Sequence, residues 1–311
     1  TTETVTDIPR PALQLYSVRA LDDSLPDIVR RAAAAGYEGV EFAHRFREEP
    51  PEAVATALSE TGTVPVGVHA ELPLVEAALT GENDLLDRCS TIGCDRLIVP
   101  HISFGHLRSR NAVQSLAQRL RDASVELDDY GIDLGIHNVR HYLWPLLPDV
   151  VETITDAAPL PPGVENAATM AASRALRAGR QPKATNTGLW NLITQTETAD
   201  LFFEVEVGEI RAAGFDPVSA FPMFGDRLEL LHLRDVAPTG RFGAFEDAPH
   251  GEGVLDMERI FAAARDTGVE WIVYENELDV DADSKIDHGA TFLRKHLGQS
   301  HDPDVRVADA E

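Results

Sequence analysis

The chain has 311 residues, 27 basic against 52 acidic side chains, a net charge of −25 and 43% hydrophobic residues. That apolar share can build a core and excludes a disordered chain, while the charge argues against a nucleic-acid partner, whose phosphates need basic side chains. No stretch reaches the ~18 uninterrupted apolar residues of a membrane span, and the polar start from Thr1 to Arg10 has no signal-peptide core, so a soluble, cytoplasmic protein without a membrane partner is expected.

The charged residues are unevenly chosen. Lys183, Lys285 and Lys295 are the only lysines, against 24 arginines. Excess Asp and Glu with scarce Lys is a halophilic composition. Molar salt shrinks the Debye length to about 3 Å and screens the self-repulsion that so acidic a chain suffers in dilute buffer. Cys89 and Cys94 are the only cysteines, and in a chain too long to need stapling they read as ordinary buried thiols.

Along the chain, short apolar or β-branched runs alternate with longer amphipathic segments, as in strand and helix units around a parallel sheet. The predicted strands are Leu13 to Val18, Gly39 to Ala43, Val64 to Val68, Arg96 to Val99, Asp133 to His137, Leu201 to Val205, Leu228 to Leu233 and Trp271 to Glu275. After the first, Leu25, Ile28, Val29, Ala32 and Ala33 share one helix face, with Pro26 in the first turn and Gly36 just past the end. Val113, Leu116, Leu120, Ala123 and Leu127 repeat the pattern before Gly131, and Ile260, Phe261 and Ala264 do so before Gly268. Ile286, Ala290, Leu293 and Leu297 end the series. Eight such units predict an α/β protein, a single (β/α)8 TIM barrel over residues 1–311. An insertion of about residues 145–190 separates strands five and six, rich in Ala, Pro, Gly and Arg from Pro159 to Ala184, with helix expected around Ala167 to Ala178. Carried on the fifth βα loop, it reads as a surface excursion, or as a lid or the contact of a homo-oligomer. The polar tail, about 300–311, is expected to be loose.

In such a barrel the chemistry sits just after the C-terminal ends of the strands. His69 follows the third predicted strand, His101 the fourth, His137 ends the fifth, Glu206 follows the sixth, His232 lies in the seventh and Glu275 ends the eighth. One histidine at a strand end is ordinarily a satisfied core or loop residue, but six such residues at one rim are not six accidents. Imidazoles and carboxylates converging on an enclosed site ask for a divalent cation, because buried anions without a counter-charge are costly.

Several local sequences then resemble one family. They are Leu13-Gln14-Leu15-Tyr16-Ser17-Val18-Arg19, Gly36-Tyr37-Glu38-Gly39-Val40-Glu41-Phe42, Phe203-Glu204-Val205-Glu206-Val207-Gly208, Leu231-His232-Leu233-Arg234-Asp235, Gly251-Glu252-Gly253-Val254-Leu255-Asp256 and Trp271-Ile272-Val273-Tyr274-Glu275. Over about residues 12–297 the chain resembles the sugar phosphate isomerase/epimerase family of the xylose-isomerase-like TIM barrel superfamily. The resemblance implies one divalent ion (Mn²⁺, Mg²⁺, Co²⁺ or Zn²⁺) held by a carboxylate after the fifth strand, another after the sixth, a histidine in the seventh and a glutamate ending the eighth. It carries metal ligation to Glu206, His232 and Glu275, and a catalytic role to Glu275 and Glu206. The family's His-Asn-His-x-x-Glu appears here as His137-Asn138-Val139-Arg140-His141-Tyr142, which puts Tyr142 in the register of the glutamate. A phenol ionising near 10 is a poor ligand at neutral pH. That leaves His141, His137, Tyr142 or water as fourth ligand or second acid/base group. Arg234, in place of the family's lysine, is expected to contact substrate together with His69 and His101.

The implied reaction is isomerisation or epimerisation of a sugar, sugar phosphate or polyol, by proton transfer at a carbon next to a metal-bound carbonyl and hydroxyl pair. The alternatives are a related lyase or dehydratase, a metal-free sugar-binding relative, and an apurinic-endonuclease-like phosphodiesterase, which the charge disfavours. The composition itself generates a prediction: the melting temperature should rise from dilute buffer into molar KCl, and a flat or falling curve would remove the halophilic reading.

Overall fold

The computed structural model describes residues 8–146, 183–240 and 244–298. Eight parallel strands close a barrel: β1 Arg10–Gln14, β2 Gly39–Phe42, β3 Val64–His69, β4 Arg96–Val99, β5 Asp133–His137, β6 Leu201–Glu206, β7 Leu228–Leu233 and β10 Trp271–Tyr274. Between the last two, β8 Asp235–Pro238 and β9 Phe245–Ala248 form an antiparallel hairpin on the seventh loop. Each barrel strand pairs with its two neighbours, and β1 closes the ring against β10 with Leu13 opposite Tyr274. The eight-unit barrel predicted from the periodicity is therefore the observed one. The Ala167 to Ala178 helix and the loose tail lie outside the described residues.

The first strand differs from its predicted span. It ends at Gln14, and Leu15–Val18 winds into a 3₁₀ turn whose first N–H groups find the Gln14 side chain, which accepts from Tyr16 at 3.0 Å. Pro11 supplies no N–H, yet it stands inside β1 because its carbonyl still accepts the Glu38 N–H at 2.9 Å. Elsewhere the local chemistry works as the sequence suggests. The helix Leu25–Ala35 starts on the Ser24 cap with Pro26 in its first turn and ends on Gly36, and its Leu25, Ile28, Val29 and Ala32 are buried. The insertion leaves and rejoins the barrel at one place, where Pro145 bridges Thr187 and the Leu146 N–H donates to the Asn186 carbonyl at 3.0 Å.

The barrel interior is divided by height. Its N-terminal end is filled by Ala12, Val66, Ile98, Phe202, Leu230, Trp271 and Val273, a dry plug separate from the larger core between strands and helices. Above the plug the inward residues turn polar: Gln14, Glu41, Glu204 and His232 are all fully buried. The seam between the chain's ends is fastened by Lys285, whose ammonium donates to the carbonyls of Ser17 at 3.0 Å and Asn276 at 3.1 Å, while the Asn276 N–H donates to Ser17 Oγ.

Gly135 of β5 faces the plug, and a Cβ there would lie 2.3 Å from the Phe202 ring. Gly135→Ala should therefore destabilise the barrel by about 1–3 kcal/mol through overpacking. Phe202→Leu in the same chain should return part of that loss. Thermal unfolding of both variants at fixed salt checks this, and purely additive effects would show that the ring simply moves aside.

Candidate metal centre

At the C-terminal end of the barrel, β5, β6, β7 and the end of β10 each send one side chain inward. His137, Glu206, His232 and Glu275 are buried, and one ligand atom from each lies within 4.8 Å of the others. His137 Nδ1 donates to the Pro100 carbonyl at 3.2 Å, which leaves Nε2 buried without a partner among the described residues. Burial, reinforced by the neighbouring charges of His232 and His69, pushes its pKa down to about 3. The ring is therefore neutral, with a lone pair aimed into the cluster.

Glu206 is held from its backbone. Its N–H donates to Asn138 Oδ1 at 3.0 Å, the Asn138 amide donates to its carbonyl at 3.3 Å, and its Oε1 accepts the Gly208 N–H at 2.8 Å. Glu206 Oε2 accepts no hydrogen bond. Burial lifts this carboxyl well above the ordinary range; Arg234 opposes the rise and Glu275 adds to it. Glu275 moves the other way, because burial is outweighed by the hydrogen bond and charge of His232 and by Arg234. Two buried carboxylates side by side need positive charge to ionise together, which Arg234 supplies in part and a bound cation would complete. His137 Nε2 and Glu206 Oε2, neither of which makes a hydrogen bond, fit such a cation, and two imidazoles with two carboxylates make a donor set suited to Zn²⁺, Mn²⁺ or Co²⁺.

A second group lies beside this one and shares His232. His232 Nε2 donates to Glu41 Oε2 at 2.8 Å and is 3.0 Å from Glu204 Oε1. His69 Nε2 contacts Glu204 Oε2 at 2.9 Å and Glu41 Oε2 at 3.0 Å. Gln14 Nε2 donates to the same Glu41 oxygen. Glu41 and Glu204 were missed as site residues. The only sequence signal was an acidic residue at an inward-facing position in each of two otherwise apolar strand runs.

The remaining predicted residues are dispersed. His141 Nε2 donates to the Ile102 carbonyl at 2.7 Å and burial holds its pKa down to about 4. The Tyr142 phenol is fully buried and accepts the Ile102 N–H. Both face the β4 loop, so the structure brings neither to the metal cluster; of the three candidates for the fourth position it brings only His137. The reason is the 3₁₀ turn Arg140–Leu143, which rolls the end of the motif against the outer wall. His101 is exposed and packs on the His141 ring at 5.4 Å. Arg234 is surrounded by carboxylates, with contacts to Glu277 at 2.6 Å, Glu209 at 2.7 Å, Glu206 at 3.3 Å and Asp247 at 3.7 Å. Arg140 grips the same Glu209 through two nitrogens, at 2.8 and 2.7 Å.

A cavity of about 690 Å³ opens over the cluster, lined by His69, His101, His137, Arg234 and Glu275 among others; Glu206 is not in its lining. The wall after β7 is built by Asp235, fully buried, whose carboxylate accepts the N–H groups of Val236, Gly251, Gly253 and Leu255 at 2.9 to 3.3 Å. Gly253 is required there, since a Cβ would lie 2.1 Å from Asp235 Oδ1.

Among solved structures the chain is similar to a sugar phosphate isomerase/epimerase from Parabacteroides distasonis ATCC 8503, with 16% identity, 94% of this chain and 96% of that one covered, and a TM-score of 0.65. It is also similar to the probable 3-DHS dehydratase AsbF of petrobactin synthesis from Bacillus anthracis, with 15% identity, 91% and 98% covered, and a TM-score of 0.67. A D-psicose 3-epimerase crystallised with D-fructose gives 12% identity, 93% and 99% covered, and a TM-score of 0.60. At these identities the likeness is one of fold. No curated protein matches the sequence. The family model described as xylose isomerase-like TIM barrel matches residues 29–296. With most of its length inside that match, the chain belongs to the xylose isomerase-like TIM barrel family.

Proposed function

We propose that the protein is a metal-dependent isomerase or epimerase acting on a sugar or polyol. The observation that carries this reading is the convergence of His137, Glu206, His232 and Glu275 at the cavity end of the barrel. A divalent cation bound there would supply a Lewis acid for adjacent carbonyl and hydroxyl oxygens of the substrate. His137, Glu206, His232 and Glu275 would hold it. Glu275 belongs to both the cluster and the cavity lining, with one carboxylate oxygen 3.2 Å from His232 Nδ1, and it is the group to take and return the substrate's C–H proton. Glu206, fully buried beneath the cavity, would hold the ion, and this reading gives the proton transfer to Glu275. Arg234 is committed to four carboxylates, so it shapes the wall and is not spare for a phosphate. The structural relatives, a sugar phosphate isomerase/epimerase, a probable dehydratase and a sugar epimerase, support the class.

Metal content after purification without chelator, followed by Mn²⁺ titration, tests the reading. Wild type should bind one ion per chain at the centre. His137→Ala should weaken binding at least about tenfold. Tyr142→Phe should leave affinity unchanged while costing about 1 kcal/mol of stability through the lost hydrogen bond to Ile102. Ketoses incubated in D₂O with the loaded protein should gain deuterium at the carbon next to the carbonyl, and chelation should stop this. A protein that binds no ion and exchanges no deuterium is not this enzyme, and loss of water from the product would move it to the lyases.

The wall makes a separate prediction. Burial pushes the Glu209 carboxyl up, but the Arg140 hydrogen bond and the charges of Arg234 and Arg140 outweigh burial and hold it below its ordinary value. Because its pKa is depressed in the folded state, its contribution to stability is complete above the unfolded value of ~4.3 and fades as pH falls through the folded one. Glu209→Gln should therefore lower the melting temperature most at neutral pH, and the gap from wild type should narrow on acidification. A gap constant with pH would show that the charge is not what Arg140 and Arg234 hold.

A further inference from the structure

The buried group beside the metal cluster is not explained by stability. Glu41 and Glu204 are fully enclosed in the barrel, and replacing a buried ion pair by apolar residues of similar size is often neutral or stabilising. The pair has one feature that a packing role does not need, which is its contact with the far side of a candidate metal ligand. His232 turns Nδ1 toward Glu275, at 3.2 Å from Oε2, and Nε2 toward Glu41, at 2.8 Å. A carboxylate only accepts, so both nitrogens face acceptors; Nε2 has the shorter contact, with Glu204 Oε1 a further 3.0 Å neighbour, and it keeps its hydrogen when a cation takes the place of the proton on Nδ1, on the side of His137, Glu206 and Glu275.

We infer that Glu41 is the positioning residue of the metal centre: it holds His232 by Nε2–H, so that Nδ1 is presented to the ion, and Glu204 with His69 holds Glu41 in place. The inference rests on the metal-centre reading above. Three contacts fix Glu41 itself. Gln14 donates to its Oε2, and His69 Nε2 at 3.0 Å and His232 Nε2 at 2.8 Å approach the same atom; His69 Nε2 also lies 2.9 Å from Glu204 Oε2. The four groups form a ring of alternating carboxylate and imidazole, which keeps two like charges together inside an apolar barrel. A carboxylate behind a ligating imidazole sets its tautomer and orientation and raises its basicity, and its loss typically weakens metal binding by about 10- to 100-fold.

The test is Co²⁺ titration followed by absorption, in one buffer at fixed salt, on wild type, Glu41→Gln, Glu204→Gln and Glu275→Gln. Glu41→Gln should bind Co²⁺ about 10- to 100-fold more weakly with altered ligand-field bands, and Glu204→Gln should show a smaller change of the same kind. Wild-type affinity and spectrum in both, with Glu275→Gln impaired, would overturn the inference and leave the metal centre standing. Failure of the wild type to bind Co²⁺ would remove the centre itself. Two Co²⁺ ions per wild-type chain, one lost in Glu41→Gln, would also overturn it, since Glu41 would then be a ligand. Should the variants not fold, long-range ¹H–¹⁵N correlation of the histidines in Zn²⁺-loaded wild type decides: Nδ1 metallated with Nε2 protonated at His232 supports the inference, and metal on Nε2 overturns it.

Discussion

The structure depends on where ionisable groups can be tolerated inside a closed barrel. The lower interior is apolar, with Trp271 and Phe202 as its bulk, and the carboxylates above it need positive charge from within the ring of strands. His232 is the hinge of that constraint. Its two nitrogens face two carboxylate populations, Glu275 on the cavity side and Glu41 with Glu204 on the other, and burial, which alone would discharge the ring, is outweighed by them. The polar layer can therefore be neutralised by protons on imidazole or by a metal ion, and a functional centre of this kind exchanges one for the other.

This constraint also orders the surroundings. Glu206 stays in register because Asn138 clamps its backbone across β5 and β6, so the residue after His137 steadies the candidate ligand on the next strand. Asp235 does for the loop after β7 what Asn138 does for the strands, taking four N–H groups into one buried carboxylate. Neither side chain needs to touch a substrate to decide the shape of the cavity.

Much of this was legible in the sequence, for identifiable reasons. Strand and helix periodicity, glycine stops and capping residues act over a few positions, so the eight units could be read directly, and so could the rim positions of His137, Glu206, His232 and Glu275. The first strand was misplaced because its apolar residues Leu15 and Val18 are buried equally well by a 3₁₀ turn, and the deciding contact is the Gln14 side chain reaching forward to Tyr16. The motif after β5 put Tyr142 in the glutamate's register with His141 one residue away, but spacing along the chain says nothing about a turn that rolls both toward Ile102. Glu41 and Glu204 were hidden for a different reason. Their importance is relational, arising from two strands far apart in sequence that meet across the barrel axis, and no local pattern records it.

The seam at Lys285 shows where the chain's amino-acid bias stops. In a sequence with three lysines against 24 arginines, one lysine stands here, with its ammonium enclosed between the carbonyls of Ser17 and Asn276. A compact, rotatable head can bind two carbonyls in a narrow space, where a planar guanidinium would wedge them apart. Asn276 directly follows Glu275, so such a wedge would be felt at the cavity. At this buried position the compact head suits the space between two carbonyls, and the position ties the turn after the first barrel strand to the segment after the last.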